Sequence, residues 1–366
     1  MKFRFPGLKI LDRYIIGKFL STYVFAIAMI IVIVVVFDYV EKADNFLQQK
    51  APLNEVVFDY YLNFIPFFVN QFSGLFTFIA VIFFTSRLAY QTEIIAILSA
   101  GVSFKRLMWP YFVGALIISV FSLVLNLWII PISQQSVVDF EMKYLKKRQN
   151  NQFDRHIYRQ IEPGLFLYLR GYNSNGTTSF FVLEKYEDGS MVSSLEAANA
   201  QMDFETKRWS APRYTNRVFD EDATEHFTQH RNLDTLINIE RNELGRVFEI
   251  VKAMNIEELN EFLDQQRRKG SDTINYIEVE KHARFAYPFS TFILTLIGVS
   301  LSSRKVRGGT GAHIGVGVTL CFTYILISRF FEEFARGGAL DAGWAVWSPN
   351  IIYLFVAIYL YVKAPK

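Results

Sequence analysis

The chain has 366 residues, of which 51% are hydrophobic and 16% aromatic, with one cysteine and a formal net charge of +3. A disulfide framework, a Cys-rich zinc module and a polar disordered chain are excluded by these figures. The apolar residues are gathered into runs of membrane-spanning length rather than spread as in a soluble core.

Five basic residues, Lys2, Arg4, Lys9, Arg13 and Lys18, precede Phe19–Phe37, nineteen residues without a charge. About 20 residues of helix cross a hydrocarbon layer of ~30 Å. A signal peptide would have a shorter apolar core and a small-residue cleavage site, so the run is expected to be a retained span. Residues 62–86, also uncharged, form a second candidate. The third, 110–130, is expected to end at Asn126 and Pro131.

Between the second and third spans lies Tyr90–Pro110, YQTEIIAILSAGVSFKRLMWP. Thr92 is placed to cap a short helix through Ser99, with Gly101 as its stop and Ser103 capping the next helix. Ile94, Ile95 and Leu98 would form its apolar face, and Glu93 at its start suits the macrodipole. Such a helix either lies on the membrane surface or docks a cytosolic partner. One acid within a basic loop favours a charge-paired contact.

Residues 132–284 differ in kind. They hold 25 acidic and 21 basic residues, net −4, while the rest of the chain is net +7. Short runs rich in aromatic and β-branched residues follow one another: 165–172, 179–186 and 190–197, then AQMDF, RWSAPRYTNRVF and ATEHFTQH. Asp188-Gly189 is a hairpin signal. Their spacing suits a meander or jelly roll. Helical connectors are expected over 134–149 and 256–268, the latter with Asn255 as N-cap and Gly270 as stop.

Three further spans are expected at 285–301, 314–328 and 344–362. The first two flank a Gly-rich basic loop, SSRKVRGGTGAH. The last is bounded by Trp344, Trp347, Tyr359 and Tyr361, as in an interfacial aromatic belt. The short loops on the side of the N-terminus carry thirteen Lys and Arg, among them Arg87, Lys105, Arg106, Arg304, Lys305, Arg307, Lys363 and Lys366. By the positive-inside rule both termini are cytoplasmic. The expected fold class is an α-helical membrane protein of six spans with an inserted all-β, jelly-roll-like periplasmic domain. Its parts are an N-terminal membrane half (1–131), a β-domain with helical connectors (132–284) and a C-terminal membrane half (285–366).

Sites of chemistry are sparse. No G-x-x-x-x-G-K-[ST] occurs, and Arg307-Gly308-Gly309-Thr310-Gly311 reads as a flexible turn. His226 and His230 lie four apart in an expected strand, without the Glu or Cys that would complete a metal set. Ser302-Ser303-Arg304-Lys305 matches S-x-x-K without its companion motifs. No cofactor, catalytic set or metal site is expected. The +3 charge is a sum of opposites, not a nucleic-acid footprint. Lys42 and Arg329 stand at the outer ends of spans one and five. Each either snorkels into a local ion pair or meets an anionic lipid headgroup. Gly311, Gly315 and Gly317 open span five with spacing that allows close helix contact, at an intersubunit or gating seam.

Taken in order, several motifs resemble the lipopolysaccharide-export permeases of the YjgP/YjgQ (LptF/LptG) family. They are Leu11-Asp12-Arg13-Tyr14-Ile15; Glu93 followed by Ser99-Ala100-Gly101-Val102-Ser103; Tyr276, Lys281, Ala286 and Pro288; Arg307-Gly308-Gly309; and Trp347-x-Pro349-Asn350. The resemblance covers nearly the whole chain. It implies a permease subunit of an ABC transporter in the inner membrane of a Gram-negative bacterium. Two such subunits, self or paralogue, would enclose a cavity between spans one and five. Lipopolysaccharide would be extruded from it by a cytosolic LptB-type ATPase dimer and handed to an LptC-type periplasmic bridge protein. Glu93, Ile94, Leu98, Gly101 and Ser103 then fall on the ATPase-coupling segment. Lys42 falls in a basic stretch that contacts lipid phosphates, although Glu41 departs from that pattern, and Arg329 is added to it here. A membrane enzyme acting on lipid or cell-wall precursors is the alternative, and it would need convergent acid, base or metal ligands near the outer face, where Glu332, Glu333, Asp341 and Lys42 stand.

Overall fold

The computed structural model describes residues 9–145, 156–173, 176–203, 206–220, 224–237, 239, 247–269, 271, 273–303 and 310–364. Lys2, Arg4, Gly270, the loop residues Arg304, Lys305, Arg307, Gly308 and Gly309, the connector end 146–149 and Lys366 lie outside them. The helices in chain order are α1 (Ile10–Gln48), α2 (Leu62–Tyr90), α3 (Glu93–Ser99), α4 (Phe104–Val124), α5 (Ile130–Phe140), α6 (Val247–Ala253), α7 (Ile256–Arg268), α8 (Ile274–Ser302), α9 (Thr310–Arg336) and α10 (Ala342–Lys363). The chain divides into two compact units. One holds residues up to Leu47, Ala51–Val137 and Asn275 onward; the other holds Gln48–Lys50 and Val138–Ile274.

The first unit contains six helices long and apolar enough to cross a membrane. A π-helical segment, Glu55–Tyr61, runs straight into α2. The third span does not stop at Asn126. It continues through a π-helical stretch, Leu125–Ile129, into α5. Pro131 lacks a backbone N–H, and the widened turn just before it absorbs the lost donor without ending the helix.

Pro288 makes the same demand inside α8, where it deprives the carbonyl of Arg284, four residues earlier, of its helical donor. Asn126 Nδ2 donates to that carbonyl at 3.2 Å. Asn126 Oδ1 in turn accepts from Asn70 Nδ2 at 2.8 Å, and Asn70 Oδ1 accepts from Ser122 Oγ at 2.6 Å. Ser119 Oγ donates to the carbonyl of Pro288 at 3.0 Å. From the other side Asn350 Nδ2 donates to the carbonyl of Ala286 at 3.0 Å, while Tyr324 OH donates to Asn350 Oδ1 at 2.9 Å. Four spans are thus laced to the bend of α8. Asn350 meets Ala286 there across 64 positions, beside Pro288.

Apolar packing follows two clusters. Ile15, Phe19, Tyr23 and Ile27 of α1 share one with Val81 and Phe84 of α2, Ile94 of α3, and Leu107 and Tyr111 of α4. Gly114 of α4 makes this approach possible, because a Cβ there would run into the Phe19 ring. Phe78 and Ile82 of α2 join α8, α9 and α10 in the second, around Cys321, Tyr324 and Tyr353. Spans one and five are the least covered: 17% and 28% of their most apolar windows are buried.

The second unit is built on one antiparallel eight-stranded sheet. Its strands are β1 (His156–Glu162), β2 (Leu165–Arg170), β3 (Thr177–Thr178), β4 (Phe180–Glu187), β5 (Ser190–Ala197), β6 (Ala200–Asp203), β7 (Arg208–Phe219) and β8 (Glu225–Leu236). The hydrogen-bonded order is β1-β2-β4-β5-β7-β6-β3, with β8 paired to β7. Asp188 and Gly189 both have positive φ, 50° and 82°, as a type I′ hairpin turn requires. Leu167, Leu169, Phe181, Met202 and Trp209 point into one buried core. Arg217 bridges Glu196 on β5 and Glu225 on β8 at 3.3 and 2.5 Å. Its hydrogen bond holds the Glu225 carboxyl below the ordinary carboxylate value. In α7, Asn255 Oδ1 accepts from Glu257 and Glu258 N–H, and the Glu258 carboxylate accepts from Asn255 N–H, a complete capping box.

Two substitutions check this packing. Trp209→Ala should destabilise the sheet unit by about 3–5 kcal/mol, read as a lowered denaturant midpoint of the sheet signal with the helical signal retained. Asn126→Leu should cost about 1–2 kcal/mol in the membrane unit, measured by unfolding in detergent, because it removes the donor to the Arg284 carbonyl.

Candidate functional site

The segment between α2 and α4 is a short helix bounded by two left-handed residues. α2 ends at Tyr90, Thr92 takes φ 63°, α3 occupies Glu93–Ser99, and Gly101 takes φ 84°. Gly101 serves as the expected stop, free of the Cβ penalty. Thr92 stands at the N-cap position but does not cap. In its left-handed conformation its hydroxyl donates back to the Gln91 carbonyl at 2.6 Å instead of accepting from α3. Ser103 does cap α4, accepting from Arg106 N–H at 3.3 Å.

The apolar face of α3 is Ile94, Ile97 and Leu98, not Ile94, Ile95 and Leu98. Ile94 is fully buried and Ile97 and Leu98 pack against the same cluster, whereas Ile95 is 47% exposed. The i, i+3, i+4 spacing places Ile97 under the bundle and turns Ile95 outward. Glu93 Oε2 accepts a hydrogen bond from Tyr14 OH of α1 at 3.2 Å. Beside it, Arg106 grips Asp12 with both terminal nitrogens, at 2.7 and 2.6 Å. No local spacing pairs Asp12 with Arg106, 94 positions away. The one available signal was an acid in the otherwise basic front of the chain.

Lys42 sits in a small aromatic and acidic nest. Its Nζ lies 2.7 Å from Asp38, bonds the Tyr60 hydroxyl, and stands 4.9 Å and 5.8 Å from the ring centroids of Tyr60 and Phe64. Tyr60 and Tyr61 hydroxyls donate to Asp38 at 3.2 and 3.3 Å. Arg329 makes the local pair expected of its spacing, 3.0 Å to Glu332. That carboxylate is 2% exposed, accepts from Tyr287 OH, and has Arg336 at 3.7 Å. One buried carboxylate therefore faces two arginines, and Arg329 itself remains 47% exposed. The tyrosines that organise both nests, Tyr60 and Tyr287, are ordinary-looking aromatics in apolar runs and carry no sequence signal.

The three glycines of α9 divide. A Cβ on Gly317 would strike Ile82 of α2, so this residue seats α9 inside its own chain. Gly311 and Gly315 have open space before them. On β8, His226 Nε2 lies 2.8 Å from Asp220 and His230 stacks on Tyr214 with centroids 5.3 Å apart. Among the described residues no group of three metal-ligating side chains gathers.

The family model described as "Lipopolysaccharide export system permease LptF/LptG" matches residues 13–363. The chain is also 20% identical over 355 residues to the lipopolysaccharide export system permease protein LptG of Haemophilus influenzae, covering 96% of this chain and 97% of that protein. Both matches run through the membrane helices and the inserted sheet alike. The chain belongs to the LptF/LptG family of lipopolysaccharide export system permeases.

Proposed function

We propose that this chain is a transport subunit without catalysis of its own, which converts ATP hydrolysis in a cytosolic LptB-type ATPase dimer into extraction of lipopolysaccharide from the inner membrane. It would work beside a second permease subunit and pass the lipid to an LptC-type periplasmic bridge. Both termini face the cytoplasm in this reading, and 132–284 is the periplasmic domain between membrane halves 1–131 and 285–366. The thirteen basic residues of the inside loops support that orientation.

The observation that carries the proposal is α3. It is a seven-residue helix with its apolar face buried, Ile95 outward and an acid in its first turn. It sits between two left-handed residues that break the helical ladders on either side. Such an element transmits a push from a partner docked on its outer face. Glu93, Ile94, Leu98, Gly101 and Ser103 are its working parts. Gly311 and Gly315, open on α9, suit close packing against the second subunit. Arg329, exposed beyond its pair with Glu332, and Lys42 suit the phosphates of the lipid headgroup.

Glu93→Lys should leave the chain's abundance unchanged and lower co-purification of the ATPase by about tenfold, the scale of one charge-assisted hydrogen bond. Normal recovery of the complex together with normal export would refute the docking role. Lys42→Gln with Arg329→Gln should weaken binding of bis-phosphorylated lipid more than of its dephosphorylated form. Equal weakening would leave these two cations with their intramolecular pairs alone.

A further inference from the structure

Docking at Glu93 does not by itself require the two polar ties that join the start of α1 to the α3–α4 segment. Asp12 has a side chain only 2% exposed, in the first turn of α1. Its Oδ1 accepts from Arg106 NH1 at 2.7 Å and its Oδ2 from NH2 at 2.6 Å, while Lys9 N–H donates to Oδ2 at 3.0 Å. Two residues along, Tyr14 OH donates to Glu93 Oε2 at 3.2 Å. Apolar contacts continue the join. Ile15, Ile94 and Leu107 share one buried cluster, and Phe19 fills the space left by Gly114. Asp12 with Arg106 and Phe19 with Gly114 fix α1 and α4 side by side in the same direction.

The rest of α1 is held differently. Between Ile31 and Phe46 none of its residues is buried, and its far end is tied through Asp38 and Lys42. Displacement of α3 therefore reaches the first span through its opening turns. A bidentate guanidinium–carboxylate pair fixes distance and angle together. A carboxylate this deeply buried loses most of its compensation if the arginine leaves, so the pair resists parting as the helices move.

We propose that Asp12 and Arg106 are positioning residues that make the first span follow the short helix when the ATPase moves it, with Tyr14–Glu93 as a second tie. The proposal rests on the docking reading of Glu93. It assigns the pair a role in transmitting motion and none in holding the ATPase.

The test uses the whole transporter reconstituted in proteoliposomes with lipopolysaccharide. It measures ATPase co-purification, ATP hydrolysis, and lipid released per ATP. Asp12→Asn and Arg106→Gln should each keep co-purification and hydrolysis within about twofold and lower release per ATP by about fivefold or more, the range of ordinary coupling free energies. Arg106→Lys, which keeps the charge but not the fork, should fall between these and the native protein. The exchange Asp12→Arg with Arg106→Asp should restore at least about half of the native release, since it rebuilds the pair. Unchanged release in the single variants would overturn the proposal, as would loss of ATPase association in them. An exchanged pair that accumulates and assembles normally without recovering release would also overturn it. If the single variants do not accumulate, the exchanged pair alone decides by the same criterion. Failure of the docking reading looks different: Glu93→Lys would then retain the ATPase, whatever the Asp12 variants do.

Discussion

Inside a packed helix bundle, a backbone carbonyl that loses its helical donor has no water to turn to. Pro288 creates that condition at Arg284, and much of the membrane unit is arranged around the answer. Asn126 supplies the missing donor, Asn70 and Ser122 hold Asn126 in place, and Asn350 with Tyr324 secures the neighbouring carbonyl from the opposite side. Apolar contacts between helices do little to choose a register in lipid, because the tails compete on equal terms. The amides around Pro288 set it for α2, the third span, α8, α9 and α10, while Phe19 against Gly114 and Asp12 with Arg106 seat α1. This is why polar residues in the middle of apolar spans, ordinarily costly, are in place here.

Around that fixed centre the two least covered helices are α1 and α9. Each carries at one end a charged nest built from a carboxylate, a cation and a tyrosine: Asp38, Lys42 and Tyr60 on one side, Glu332, Arg329 and Tyr287 on the other. The nests solve the same problem. A cation near the rim of a span needs a carboxylate to hold it and a phenol to satisfy the remaining lone pairs. The inserted sheet is governed by a different solvent and shows it. Alternating residues fill its single core, and its exposed face is stitched by ion pairs such as Arg217 with Glu196 and Glu225.

Where the sequence carries periodic or local signals, the structure was legible in advance. The six spans, the strands from Leu165 to Leu236, the Asp188-Gly189 turn, the Asn255 cap and the Gly101 stop all carry a periodic or local signal of their own. Departures occur where distant residues decide. The third span runs past Asn126, whose side chain bonds the Arg284 carbonyl of α8. Ile95 turns outward because the bundle lies beneath Ile97. Thr92 gives up its capping role because its left-handed backbone turns the hydroxyl back to the Gln91 carbonyl. In the candidate segment, spacing placed Glu93 at the start of α3 and Ser103 at the cap of α4, while the partners of Asp12, Arg106, Tyr60 and Tyr287 became visible only when the helices were brought together.

The two left-handed residues that bracket α3 are unequal. Glycine adopts that conformation freely, whereas a threonine held there carries about 1–2 kcal/mol of steric strain. The junction with α4 is therefore slack and the junction with α2 is loaded. The short helix is thus held at one end against its own backbone preference and at the other in accord with it.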